Sequence, residues 1–442
     1  MGLKKAYCRV YQWIYNIGMK VVKWKEPERL EGVDSFHSIP EILEQAGVWA
    51  PMIVTGPRIG KTGFLKDLYN DLSERSVIYD QVHPDPTISQ IEEMYQIYQD
   101  HDCDSIIAIG GGSNMDAAKA LAARVARPDK SLQDMKGQLK VGRQVPFFVA
   151  VPTTAGTGSE TTIAAVVTDD AENHKYAIND PVLVPDYAVM DPSLTVSLPA
   201  DITAATGMDA LTHAVEAYLS WTYRTEETIE YCEEAVTAIM EFLPEAYEQG
   251  DSLEAREEML IASFKAGAAF TRACVGNVHA IAHAIGGLYH VPHGLANAVV
   301  LPIVLEDYGS AVYGKLARLA TLSQVACEGS EAERAKEFIR HIRQMNEHMG
   351  IPEHLPQIRE EDIAQMAEWS DQEANPLYPV PVIYDKKHFE EVIRKVAGKY
   401  EVDRIDKHLQ NGQPYHLRNR SVRYRCMGKT YRTVTGRMCR DQ

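Results

Sequence analysis

The residues best suited to chemistry are histidines and an aspartate in the second half of the chain. Four of the fifteen histidines lie within fifteen residues, in the segment NVHAIAHAIGGLYHVPHG: His279, His283, His290 and His293. Further upstream, Asp209 and His213 are four residues apart in TGMDALTHAVEA, a spacing that places both on one face of a helix. Either group alone is also typical of core or solvent-facing residues, but together they predict a metal site.

The ligand types indicate which metal and which chemistry to expect. A carboxylate with imidazoles and no thiolate suits Fe²⁺ or Zn²⁺ better than Cu(I). His279 and His283 share a helix face, and the glycines and proline that follow allow the chain to turn so that His293 returns to the same site. A divalent cation with an open position lowers the pKa of an alcohol and so assists the loss of a hydride from carbon.

Two glycine-rich loops predict a second binding site, in the first half of the chain. GGGSNMDAAK begins at Gly110, between an apolar run and a helical pattern, where backbone N–H groups and the positive end of a helix can meet a pyrophosphate. VPTTAGTGSE follows another apolar run and adds threonine and serine hydroxyls. A glycine-rich turn alone is often only structural, but the two loops together predict an extended, phosphate-bearing ligand across the strand ends.

The elements that position these groups follow from hydrophobic periodicity. Short apolar runs predict strands at PMIVTG, SVIYD, DSIIAIG, FFVAVP and YAVMD, and LKDLYNDLSER, ISQIEEMYQIYQD and MDAAKALAARVA predict helices between them. This alternation predicts a parallel, Rossmann-like sheet. Beyond about residue 200, strand patterns nearly vanish and helical patterns dominate, as in AVTAIMEFLPEAYEQ, MLIASFKAGAAF and AKEFIRHIRQMNEHM. We therefore expect an α/β N-terminal domain followed by an all-α C-terminal domain.

Composition excludes several classes of protein. The 442 residues are 45% hydrophobic and 24% charged, which is typical of folded chains with large cores. The formal net charge of −17 argues against nucleic-acid binding. No apolar run approaches the roughly 20 residues that span a bilayer. The seven cysteines are scattered without paired spacing. We expect a cytoplasmic protein that acts on a small molecule.

Both ends of the chain are basic. Residues 1–25 contain six lysines and arginines and no acidic residue, and residues 401–442 form a second basic stretch without an apolar period. Apolar residues recur at spacings of four and three in the first segment and predict a cationic amphipathic helix: Leu3, Tyr7, Val10, Ile14, Ile17 and Val21. Such a helix is typical of anionic membrane surfaces. We instead expect it to pack on its own domain or on a second subunit.

The motifs GGGSNMDAAK, PTTAGTGSE, TGMDALTHAVEA and HAIAHAIGGLYHVPHGLANAVVLP resemble, in this order, those of the iron-containing (group III) alcohol dehydrogenases. The resemblance covers roughly residues 26–400. It implies a dinucleotide-binding domain at 26–200 and an all-helical metal-binding domain at 201–400, whereas the basic extension at 1–25 and the basic tail at 401–442 are departures that the family motifs do not explain. It also implies a homodimer or larger homo-oligomer and hydride transfer between NAD(P) and a small primary alcohol or aldehyde.

The resemblance also implies roles for particular residues. Four of them match the family's metal ligands: Asp209, His213, His279 and His293. His283 is then the nearby histidine that relays a proton to solvent. The family's cofactor contacts fall on Gly111, Gly112, Ser113, Asp116, Thr153, Thr154, Thr157 and Lys175, with Lys119 also following the first loop. Phe270 matches an aromatic residue of the substrate pocket, although a core phenylalanine fits equally well.

One departure concerns the cofactor. Family members that prefer NAD carry an aspartate in a VTD sequence after the first strand, where this chain has VTGPR. Gly56 removes that negative charge, and Arg58 or Lys61 can neutralise a 2′-phosphate. We therefore expect NADP, with NAD as the alternative.

Two alternatives remain open at this point. One is a polyol dehydrogenase of the same fold, such as an enzyme that acts on glycerol. The other is a catalytically silent cofactor-binding or membrane-associated scaffold. All four ligand positions are filled, which disfavours the scaffold.

Overall fold

The first half of the chain forms a parallel sheet, because its apolar runs are short and are separated by helices. The structure is a computed structural model that describes residues 2–399 apart from 21, 23, 73, 172 and 173. Its strands, in chain order, are β1 (Glu28–Glu31), β2 (Pro51–Val54), β3 (Val77–Tyr79), β4 (Ser105–Gly110), β5 (Gly137–Gln138), β6 (Phe147–Pro152), β7 (Ala164–Asp169), β8 (His174–Asn179) and β9 (Tyr187–Met190).

The main sheet determines where a ligand binds. Within the described residues it has six parallel strands in the order β1-β9-β6-β4-β2-β3. β2 has β3 on one side and β4 on the other, so the strand order reverses between β2 and β4. In open α/β sheets, ligands bind outside the carboxyl ends of the strands at such a reversal. The loop after β2 contains Gly56, and the loop after β4 is the glycine-rich segment.

The helices of the first half connect the strands, and a small second sheet joins them. The helices are α1 (Leu3–Met19), α2 (Ile39–Ala46), α3 (Gly63–Asp71), α4 (Ile88–Asp100) and α5 (Gly112–Ala126). In the described part of the chain the small sheet has the order β5-β8-β7, with β7 and β8 antiparallel. It lies beside α5, and β7 contacts that helix.

The second half is helical throughout its described residues. Its helices are α6 (Ala200–Leu219), α7 (Glu226–Glu248), α8 (Leu253–Ala273), α9 (Asn277–Tyr289), α10 (His293–Tyr308), α11 (Tyr313–Leu322), α12 (Glu331–His348), α13 (Glu360–Ala374) and α14 (Lys386–Val396). Capping boxes fix the starts of α7, at Thr225 and Thr228, and of α12, at Ser330 and Glu333. α6 and α10 are buried on almost every side, because α7, α8, α9 and α12 surround them.

The predicted fold class is confirmed. The five predicted strands are found as β2, β3, β4, β6 and β9, and the predicted helices as α3, α4, α5, α6, α7, α8 and α12. The sequence did not indicate β1, β5, β7 or β8. The basic stretch 401–442 and Val21 lie outside the described residues.

The predicted N-terminal helix exists as α1 and packs on its own chain, but it does so through its polar side. Cys8 and Gln12 are buried, whereas the periodic apolar residues that the structure describes, Leu3 to Ile17, are exposed. The Gln12 amide, 0% exposed, donates to the carbonyl oxygens of Pro376 (3.0 Å) and Tyr378 (2.7 Å), in the segment between α13 and α14. Its Oε1 accepts from Trp221 Nε1 (2.6 Å). Hydrogen bonds therefore hold this helix to the body.

Within the described residues, no helix is both long enough and apolar enough to cross a membrane.

Replacing Gln12 by Leu tests this attachment. The change leaves the Pro376 carbonyl and the Trp221 indole N–H without the partner that Gln12 provides, which costs about 1–3 kcal/mol per buried group, while Tyr378 O keeps only the N–H of Val380. We expect faster amide hydrogen exchange throughout residues 3–19. Val10→Ala, at an exposed position of the same helix, is the matched control and should exchange like the wild type. Equal exchange in both variants would show that Gln12 does not hold the helix.

Candidate active site

Three helices bring the four predicted metal ligands together. Asp209 and His213 lie one turn apart on α6, His279 lies on α9, and His293 is the first residue of α10. One ligand atom from each lies within 4.8 Å of the others. Asp209, His213 and His279 are buried, while His293 is half-buried.

The acceptor atoms of this cluster converge on one point. The Asn297 side-chain nitrogen lies 2.7 Å from Asp209 Oδ1, 3.2 Å from His279 Nε2 and 3.1 Å from His293 Nε2. An amide nitrogen has two hydrogens, so it cannot satisfy three acceptors at once. A cation satisfies all of them, and the oxygen and imidazole donor set therefore fits a divalent metal.

The protonation of the cluster also fits metal binding. Burial lowers the pKa of His213 to about 4, although Asp209 and a hydrogen bond with the backbone of Gly156 raise it in part. Burial and the neighbouring histidines lower the pKa of His279 well below its ordinary value. Neutral imidazole is the form that binds metals. These rings are therefore in their ligating form at neutral pH.

Glu216, one turn after His213, orients His279. Its carboxylate accepts hydrogen bonds from the backbone N–H groups of Gly276 and Val278, both at 2.8 Å, and lies 2.6 Å from His279 Nδ1. This contact places the ring proton on Nδ1 and leaves the Nε2 lone pair facing Asp209. Burial raises the pKa of Glu216 to about 7, against the lowering effect of these N–H donors. A Cβ at Gly276 would lie 2.6 Å from Glu216 Oε1, so a larger residue there would displace this carboxylate.

His283 lies at the rim of the cluster. Its ring stacks on that of His293, with centroids 5.1 Å apart, and its side chain is 45% exposed. Nδ1 lies 2.6 Å from Glu373 Oε1, which also accepts from the Tyr378 hydroxyl at 2.9 Å. Desolvation lowers the pKa of His283, but the Glu373 carboxylate outweighs it, and the pKa lies above its ordinary value.

The two predicted phosphate loops lie side by side. β4 and β6 pair up to Gly110 and Pro152, so their following loops leave the sheet together, and Thr153 N–H donates to Gly110 O at 3.0 Å. A Cβ at Gly112 would lie 2.9 Å from Thr157 Cγ2, and one at Gly111 would lie 3.2 Å from Thr154 Oγ1. The glycines thus let the start of α5 approach the loop after β6, residues 153–163, which we call the threonine loop. A shared anion-binding surface requires this close approach. Ser113, the second residue of α5, is half-buried.

Two predicted residues on α5 hold the threonine loop. Lys119 is fully buried, and its Nζ donates to Thr162 O (2.7 Å), Thr162 Oγ1 (2.8 Å) and Ala164 O (3.1 Å). Burial lowers its pKa to about 8, although Asp116 acts in the opposite direction. Asp116 accepts from Ser159 Oγ at 3.1 Å. Their visible role is to fix the loop, and direct contact of Asp116 with a cofactor stays a prediction.

Gly56 and Lys175, two further predicted residues, lie on separate elements. Gly56 follows β2 at the strand reversal, and a Cβ there would lie 3.0 Å from Val82 O and 3.3 Å from Asn114 Nδ2. Lys175, exposed on β8, pairs with Asp85 at 2.7 Å. The charges of both act on the pKa of His293, although burial and His283 dominate that shift. Lys175 and Asp85 therefore lie close enough to His293 for their charges to act on it.

Sequence reasoning missed Glu216, Asn297 and Glu373. Glu216 lies three residues after His213 and Asn297 four after His293, so both share a helix face with a predicted ligand. That spacing was available in the sequence. Glu373 is 90 residues from His283 and lies on another helix, so no local pattern indicates it. Phe270, named as a pocket or core residue, stacks on His213 with centroids 4.1 Å apart.

Comparison with known proteins decides the family. The model of iron-containing alcohol dehydrogenases matches residues 27–192, and that of the Fe-containing alcohol dehydrogenase family, C-terminal, matches residues 203–397. The chain belongs to the iron-containing alcohol dehydrogenase family. It is an oxidoreductase that transfers a hydride between NAD(P) and a small primary alcohol or aldehyde, with a metal at its site. The matched residues exclude helix α1.

Three relatives illustrate the range of this family. The NAD-dependent methanol dehydrogenase of Bacillus methanolicus is 36% identical over 347 residues, 77% of this chain and 91% of that protein. The NADPH-dependent butanol dehydrogenase of Clostridium saccharobutylicum is 35% identical over 320 residues, 71% of this chain and 81% of that protein. The solved structure of a 1,3-propanediol oxidoreductase has a TM-score of 0.81 and 33% identity, and the match covers 85% of this chain and 99% of that one.

Replacing Glu216 by Gln tests its orienting role in this enzyme. The amide nitrogen of Gln would face the N–H groups of Gly276 or Val278 or the proton of His279, so His279 loses a fixed orientation. We expect metal affinity to fall by about 10–100-fold, measured by competition with a chromophoric chelator. Glu234→Gln, which removes a carboxylate paired with Lys265 on the surface, is the control. Unchanged affinity in Glu216→Gln would rule out this role.

Proposed function

We propose that residues 26–200 bind the dinucleotide and residues 201–400 bind the metal, with the alcohol between them. Asp209, His213, His279 and His293 hold the divalent cation, Fe²⁺ with Zn²⁺ as the alternative. The observation that supports this most directly is the convergence of four ligand atoms within 4.8 Å. The threonine loop reaches the same place, since the backbone of Gly156 contacts His213.

The reaction divides between the bound groups and the side chains around them. A divalent cation in such a site polarises an alcohol or aldehyde oxygen, and the nicotinamide accepts or supplies the hydride. Glu216 keeps His279 in its ligating tautomer. The Gly111–Gly112 turn and the threonine loop hold the pyrophosphate. His283, fixed at Nδ1 by Glu373, exchanges the alcohol proton with solvent at Nε2.

An aromatic side chain beside the metal ligands and the substrates of relatives favour a small primary alcohol. Phe270 covers one face of His213 and so places an apolar wall beside the metal ligands. A short alkyl chain fits against this wall while its terminal hydroxyl faces the cluster. The names of relatives that act on methanol, butanol and 1,3-propanediol support this substrate class, which includes terminal diols.

Two histidine variants separate ligand from proton relay. His279→Ala removes a buried ligand and the partner of Glu216, and we expect both bound metal and turnover to be lost. His283→Ala leaves the four ligands in place, so we expect full metal content with a turnover number lowered about 10²–10⁴-fold. Metal content by elemental analysis and initial rates with short aldehydes measure the two effects. Wild-type metal content in His279→Ala would remove His279 from the ligand set.

We also propose NADP as the preferred cofactor. Position 56, just after β2, is a glycine and so carries no carboxylate, and Lys61 is exposed in the same loop. Arg58 is engaged, since its guanidinium donates to Ser197 O at 3.1 Å. The opposing group is Asp80 at the end of β3, which lies next to Gly60 and would favour NAD.

A charge at position 56 should reverse this preference. We expect Gly56→Asp to lower the ratio of kcat/KM for NADPH to that for NADH by about 10-fold or more, because a carboxylate repels a 2′-phosphate. Gly56→Ala is the matched control, since its methyl group meets the same crowding at Val82 O without charge. If the wild type instead preferred NADH, and Asp80→Asn abolished that preference, Asp80 would be the residue that determines the choice of cofactor.

A further inference from the structure

The most unusual surface of the molecule is the outer face of α1, defined here by seven large apolar residues: Leu3, Tyr7, Val10, Tyr11, Trp13, Ile14 and Ile17. Their exposed fractions range from 37% to 93%. These seven make up almost half of the sixteen exposed large hydrophobic side chains among the described residues. A contiguous apolar patch of this kind marks an interaction site.

The attachment of α1 explains why this face stays exposed. Cys8 and Gln12 point toward the body, and the hydrogen bonds of Gln12 and the ion pair between Lys4 and Asp371 fix the rotation of the helix about its axis. Turning the apolar residues inward would break all of these contacts. The outer face is therefore available to a partner while α1 remains attached.

The distribution of residues around the helix indicates what that partner is. At 3.6 residues per turn, the outer face covers an arc of roughly 160°. Trp13 and Tyr11 lie at the two margins of the arc. Lys20 lies just beyond Trp13, and Lys4, just beyond Tyr11, is paired with Asp371 of the body. Helices that lie in a membrane interface have this order: a wide apolar arc, aromatic residues at the level of the headgroups and lysines beyond.

Charge disfavours a second copy of the same helix. Residues 1–25 contain six basic and no acidic residues, so two such helices would meet without the opposite charges that flank a helix pair. An anionic lipid surface complements them. The whole chain has a formal net charge of −17 and is repelled by such a surface at long range. Burial of the outer face must therefore supply most of the attraction, with the lysines adding to it at contact.

We propose that α1 binds the enzyme to the surface of an anionic lipid bilayer, with its outer face in the headgroup region. The helix lies in the plane of the interface. This site uses residues outside those matched by the family models and is independent of the catalytic reaction.

The test uses the full-length, metal-loaded enzyme and vesicles of phosphatidylcholine, with and without phosphatidylglycerol. We expect sedimentation with the anionic vesicles and weaker sedimentation with the neutral ones. Ile14→Glu places a charge at the centre of the outer face, and we expect it to lower vesicle partitioning at least about tenfold. Leu253→Glu, an exposed leucine at the start of α8, is the matched control and should bind like the wild type. Turnover in solution should be the same in all three proteins.

The remaining outcomes each contradict the proposal. Wild-type enzyme that stays in the supernatant with both vesicle types overturns it. Equal sedimentation of wild type and Ile14→Glu would assign the binding to another part of the chain, such as the basic residues 401–442. If light scattering gave Ile14→Glu a different molecular mass from the wild type while its vesicle binding was unchanged, the outer face would instead be a contact between two copies of this chain. None of these results affects the proposed reaction.

Discussion

The burial of Asp209 among imidazoles is the interaction on which the helical half depends. A carboxylate that is 2% exposed is costly unless hydrogen bonds or a positive charge compensate for its lost hydration. Asn297 supplies one hydrogen bond, while His213 and His279 are held neutral by their own burial. The arrangement therefore favours a cation. α6, α9 and α10 otherwise pack mainly against apolar side chains, and all three contribute to this polar site.

Burial explains which strands could be predicted from the sequence. β4 and β6 are buried on both faces, so each is a continuous apolar run that is visible without any knowledge of its neighbours. β1, with the sequence ERLE, has no such run, because it lies at the sheet edge and three of its four side chains are exposed. Its extended form comes from backbone pairing with β9, about 160 residues later. Local patterns cannot contain that pairing.

The residues of the candidate site also fall into two groups: those that local spacing predicts and those that depend on long-range contacts. The spacing of Asp209 and His213 and the histidine cluster are local, and they predicted the residues that the structure brings together. Glu216 is also at helical spacing, but a helical glutamate is ordinarily solvated. It becomes the partner of His279 only because the backbone of Gly276 and Val278 arrives from α9, about 60 residues away. Glu373 reaches His283 from α13 in the same manner. Residues that orient other residues depend on long-range contacts, which a single sequence does not display.

α1 shows where periodicity predicts an element but not its contact. Burying an apolar side chain stabilises a contact by about 1.5–3 kcal/mol, and leaving a buried carbonyl unpaired costs about 1–3 kcal/mol. The two effects are similar in size, so the receiving surface decides which face of the helix it takes. That surface presents the carbonyls of Pro376, Tyr378 and Pro381, which accept from Gln12 and Arg9. A helix whose donors match these acceptors docks through them and leaves its apolar residues toward solvent.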